Sequence, residues 1–72
     1  MANINKLRGA IAERGYSLKR LADETAINYR TLRRRFENGE NFRVGEVEAI
    51  RETLSLTPDE VHLIFFDEED AN

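Results

Sequence analysis

A chain of 72 residues lies near the lower limit at which one apolar core can hold a fold, so the sequence predicts a single domain. The absence of cysteine excludes disulfide staples and a cysteine-rich zinc site, and no apolar run reaches the roughly 18 residues of a membrane span. The formal net charge is −3 but segregated: residues 1–43 carry ten basic and five acidic side chains, residues 44–72 one basic and nine acidic.

Apolar residues recur at helical spacing along the chain, and no segment alternates as a strand does. The first helix is predicted from about Ile4 to Arg14, with Ile4, Leu7, Ala10 and Ile11 on one stripe, Asn3 as its cap and Gly15 as its stop. The second begins after Ser17, whose hydroxyl suits the free amides of a first turn. It buries Leu18, Leu21 and Ala22 and ends near Glu24 or Thr25, with Ile27 plugging the turn that follows.

The third helix is predicted to start after Asn28 and to close at Asn38-Gly39. Leu32 and Phe36, about 40° apart around the axis, form its buried edge. Arg30 and Arg34 stand opposite, with Tyr29, Thr31 and Arg33 on the shoulders; Arg35 points sideways, toward a phosphate or an internal carboxylate. In the loop 39–43, Phe42 is expected to fold back onto the core. A fourth helix places Val44, Val47, Ile50 and Leu54 inward and ends near Ser55.

The fifth opens on Thr57-Pro58-Asp59-Glu60, a capping box with proline at the first helical position. It turns Val61, Ile64 and Phe65 inward, with Phe66 at its end. Residues 67–72, DEEDAN, hold nothing to bury and are expected to form a disordered acidic tail, either solvated or screening the basic half. The expected organisation is a domain over 1–66 and a tail over 67–72.

Little here supports catalysis. The single histidine, His62, falls off the apolar stripe, and with Asp59 and Glu60 it is far short of a metal shell. Ser17 and Ser55 sit at helix ends, and there is no nucleophile turn or phosphate-binding glycine loop. No catalytic residue, metal, cofactor or small-molecule ligand is therefore expected.

The ordered set Ser17, Leu21-Ala22, Ile27-Asn28, Leu32 and Asn38-Gly39 resembles the helix-turn-helix domain of phage repressor and Cro-like proteins, the XRE family. The stretches from Glu40-Asn41-Phe42 to Glu46 and from Leu56-Thr57-Pro58-Asp59-Glu60-Val61 to Ile64-Phe65-Phe66 look like a branch found in phages and mobile elements of Gram-positive bacteria. The resemblance covers about residues 4–66. It departs twice: Leu18 stands where the family usually has a phosphate-bracing glutamine, and Ala26 where its turn usually has glycine at positive φ.

The resemblance implies an all-α, five-helix repressor-like fold and a cytoplasmic, nucleoid-associated regulator of transcription. Its third helix would enter the major groove of double-stranded DNA. On that helix Tyr29, Arg30, Arg33 and Arg34 are the candidates for base readout, since arginine's planar fork matches guanine O6 and N7. Ser17, Lys19, Asn28, Thr31, Asn38, Asn41 and Arg43 are the candidates for phosphate contacts. Phe65 and Phe66 either close the core or, with Leu63, form a homodimer contact on the fifth helix. The rival reading is a protein-interaction adaptor, antirepressor or antitoxin-like, working through its acidic half and the apolar end of its fifth helix.

Overall fold

The computed structural model describes residues 2–66, which form five helices: α1 (Ile4–Glu13), α2 (Leu18–Thr25), α3 (Tyr29–Asn38), α4 (Val44–Leu54) and α5 (Pro58–Phe65). No strand occurs among the described residues. The tail expected over 67–72 lies outside them.

The caps sit where short-range chemistry asks for them. Asn3 Oδ1 accepts from the Lys6 N–H, Ser17 Oγ from Arg20 N–H, and Asn28 Oδ1 from both Arg30 and Thr31 N–H. The box at α5 is reciprocal: Thr57 Oγ1 accepts from Glu60 N–H, and the Glu60 carboxylate accepts from Thr57 N–H. At α4 only half a box forms, because Arg43 has no side-chain oxygen; Glu46 accepts from Arg43 N–H at 2.9 Å.

Four residues define the centre. Leu7, Leu21, Leu32 and Ile50, one from each of the first four helices, are fully buried. Each such side chain contributes about 1.5–3 kcal/mol over its exposed state. α2 is the hub that packs against both α3 and α4, while α5 closes on α1 and α4. Phe42 folds back as expected, edge-on to Phe36 at 6.2 Å and to Phe65 at 5.4 Å between ring centroids.

Two expectations need correction, and one core residue was missed. Val44 is 81 % exposed rather than on the apolar stripe, because at the first residue of α4 the helix has not yet reached the core. Phe66 does not close the core: it lies past the end of α5 and is 55 % exposed, while its neighbour Phe65 is buried. Leu56, in the loop before α5, is a core residue that the stripes did not include.

Polar staples hold the ends together. Arg14 donates through Nε to the Leu54 carbonyl at 2.6 Å and through Nη2 to both Glu60 oxygens at 2.9 Å, tying the end of α1 to the end of α4 and the start of α5. Asn3 N–H reaches the Ile64 carbonyl at 2.6 Å.

Candidate nucleic-acid interface

The segment from Ser17 to Gly39 builds its exposed helix from behind. α2 supplies Leu21 and Ala22 to the core, and Ala26 then reverses the chain at φ 60°, the left-handed conformation expected at that position. Ile27 packs on the core, and Asn28 caps α3. With Leu32 and Phe36 buried on its back, α3 turns Tyr29, Arg30, Arg33 and Arg34 to solvent. Gly39 closes it at φ 66°.

These four side chains are not equivalent. The Arg30 guanidinium makes no hydrogen bond or ion pair among the described residues; its backbone N–H is engaged by Asn28. Arg33 donates through Nε to Glu37 Oε2 at 3.0 Å, one turn on, and that bond holds its guanidinium more firmly protonated than usual. Arg34 donates through Nε to both oxygens of Glu40, at 3.3 and 3.2 Å. Tyr29, at the first position of α3, is exposed with no polar partner among the described residues.

Arg35 takes the internal of its two possible courses. It is 8 % exposed, the one buried charged residue described. Its Nη2 donates to Glu46 Oε2 at 3.0 Å, and its Nη1 to Glu40 Oε1 at 3.2 Å and the Asn41 carbonyl at 3.3 Å. Its Nε lies 2.9 Å from Glu46 Oε1, close enough for charge attraction but misaligned for a hydrogen bond, so that N–H has no acceptor. Arg35 thereby links α3 to the capping carboxylate of α4.

Beside this helix a cleft of about 570 Å³ opens between α3 and the start of α4. Asn28, Thr31, Arg34, Arg35, Arg43 and Gly45 are among its lining residues. It thus gathers three candidates for phosphate contact, Asn28, Thr31 and Arg43, with one for base readout. Thr31 is half-buried; Arg43 is exposed, with no side-chain partner among the described residues. The remaining candidates lie elsewhere. Ser17 and Lys19 are exposed at the start of α2. Asn38 gives its amide to Glu40 at 3.3 Å, which is the first cause of the lowered Glu40 pKa; the Arg34 hydrogen bond lowers it further. Asn41 lines a separate hollow with Phe42, Phe65 and Phe66.

Arg20 is held on α2 itself. It stacks over the Tyr16 ring at 4.2 Å and donates to Glu24, which also accepts from the Tyr16 hydroxyl. The sequence reading missed Glu40, Glu46 and Arg14 as organising residues. The Arg33–Glu37 spacing was legible as an i,i+4 pair; the contacts of Arg35 and Arg14 span 11 and 46 residues and left no local signal.

Leu63 and Phe66 are exposed on and just beyond α5, and buried Phe65 is withdrawn from that patch. Among the described residues no helix is long and apolar enough to cross a membrane, and no cluster of histidine and carboxylates could hold a metal ion. No family model matches the chain, nor does any curated protein or solved structure.

Proposed function

We propose that this protein is a sequence-specific double-stranded DNA-binding regulator of transcription, with α2 and α3 acting as a helix-turn-helix of the repressor and Cro-like kind. One observation carries the reading. A short helix is buried along Leu32 and Phe36 and exposes Tyr29, Arg30, Arg33 and Arg34 beside a cleft carrying Asn28, Thr31 and Arg43.

In this reading α3 lies in the major groove, and its arginines meet guanine edges. Asn28, Thr31 and Arg43, with Ser17 and Lys19 at the start of α2, fix the register on phosphates. Occupancy of a promoter is the mechanism, with no cofactor and no catalytic step. Leu63 and Phe66 supply an apolar contact for a second copy, and such a dimer would present its two recognition helices about 34 Å apart to paired half-sites.

Selection from a pool of random duplexes tests the proposal. The wild-type chain should enrich a defined motif. Arg30→Ala and Arg34→Ala should each change base preference while leaving the helical circular dichroism signal intact. Retention of no duplex would favour the adaptor reading, and unchanged preference in both variants would refute the assignment of α3.

A further inference from the structure

The carboxylates that accompany the arginines of α3 bond them in a particular way. Arg33 and Arg34 both give Nε to an acidic neighbour, and their terminal nitrogens make no hydrogen bond among the described residues. The two braces differ in firmness. Glu37 meets Arg33 one turn away on an open surface, both side chains more than half exposed, and it has no other partner among the described residues, an arrangement worth little energy.

Glu40 is fixed at several points. The left-handed turn at Gly39 brings it back along α3, where its N–H donates to the Arg35 carbonyl at 3.2 Å. Its carboxylate accepts from Asn38 and from Arg35 as well as from Arg34. Arg35 in turn is buried and anchored on Glu46 of α4. A continuous chain, Glu46–Arg35–Glu40–Arg34, therefore runs from the frame of the domain to an exposed guanidinium.

Such a brace suits one kind of ligand. An arginine that grips a phosphate works as a charge, and a carboxylate alongside cancels that charge and repels the backbone. An arginine that reads guanine works as an oriented plane, facing two acceptors without formal charge, and gains from being held. We propose that Glu40 is a specificity-determining positioning residue: it fixes the plane of Arg34 through Nε and leaves the terminal fork free for a guanine edge. This rests on the DNA-binding reading above.

The test compares motifs selected from random duplexes by the full chain as wild type, Arg34→Ala, Glu40→Ala, Glu40→Gln and the Arg34→Ala/Glu40→Ala double variant. A forked arginine–guanine contact discriminates by about 5- to 150-fold. Arg34→Ala should abolish guanine preference at one position of each half-site. Glu40→Ala should reduce it at that same position to less than about threefold, Glu40→Gln should fall between, and the double variant should match Arg34→Ala.

A second readout needs no DNA: the Arg34 Nε–H should give a resolved, exchange-protected NMR signal in wild type and an averaged one in Glu40→Ala. An unprotected wild-type signal would overturn the proposal, as would an unaltered motif or uniform weakening at every position in the Glu40 variants. In those cases the DNA-binding reading stands. Failure of wild type to retain any duplex would overturn both. Should Glu40→Ala fail to fold, Glu40→Gln, which keeps the shape of the side chain, decides.

Discussion

Replacing Glu46 by alanine should destabilise the domain twice over, through a buried ion pair and through a helix cap. Glu46 engages Arg35 through two oxygens, at 2.9 and 3.0 Å, and caps α4 through Arg43 N–H at 2.9 Å. The arginine it would abandon is 92 % buried, and the Glu46 side chain itself is only 15 % exposed. Losing a cap costs about 1 kcal/mol. Leaving a buried charge without its partner costs about 3–5 kcal/mol. Here Glu40 at 3.2 Å and the Asn41 carbonyl at 3.3 Å still attend Arg35, so the lower end applies.

The expected loss is therefore about 3–4 kcal/mol, a large share of what so short a chain can hold. Urea denaturation followed by far-ultraviolet circular dichroism measures it; the chain has no tryptophan to report by fluorescence. A companion variant isolates the cause. Arg35→Met with Glu46→Gln removes both charges and keeps an oxygen for the cap, and it should lie within about 1 kcal/mol of wild type. A loss below about 1 kcal/mol for Glu46→Ala, or a double variant as unstable as the single one, would refute the claim that this pair ties α3 to α4.

Two further outcomes follow from backbone geometry and titration. Ala26 sits at φ 60°, so Ala26→Gly should raise stability by about 0.5–1 kcal/mol, the relief of left-handed strain less the entropy glycine adds to the unfolded chain; a lowered urea midpoint would contradict it. Glu24, Glu40 and Glu60 are held below the ordinary carboxylate value of 4.5, chiefly by hydrogen bonds from Arg20, from the Asn38 amide and from Thr57 N–H respectively. A depressed folded pKa stabilises above the unfolded value and loses that contribution as pH falls through the folded one. The melting temperature should accordingly be level from pH 7 to about 5 and decline below about 4.5; a level profile down to pH 3 would count against these contacts.

Residues whose rules are local were legible in the sequence. Asn3, Ser17, Asn28 and Thr57 cap because one oxygen meets an amide two or three residues on, and the stripes of α1, α2 and α3 follow a 3.6-residue period. Val44 was misplaced because periodicity does not say where along its axis a helix meets the core. Leu56 escaped because it belongs to a loop, which has no period. For the candidate site, spacing located the exposed front of α3, and its two courses for Arg35 included the one observed. It could not show that Arg34 and Arg35 share Glu40, since that depends on the reversal at Gly39 and on α4 lying alongside.

That pairing alters what the basic helix is worth in salt. Counted by sequence, the Ser17–Gly39 segment and its flank hold seven cations: Lys19, Arg20, Arg30, Arg33, Arg34, Arg35 and Arg43. Four of them, Arg20, Arg33, Arg34 and Arg35, already sit on carboxylates. Of these seven, only Lys19, Arg30 and Arg43 make no ion pair among the described residues, and only they can neutralise phosphates without first breaking one. Each phosphate neutralised contributes about −0.9 to the slope of log affinity against log salt, so binding to a random duplex should show a slope near −3 per chain. Fluorescence anisotropy across a salt series reads it directly. A slope of about −6 or steeper would mean that the arginines leave their carboxylates for the DNA backbone, and a braced, base-reading front on α3 would no longer be tenable. On the DNA-binding reading proposed above, so few free cations would give little attraction to arbitrary duplex, and discrimination by a protein of net charge −3 would rest on base contacts.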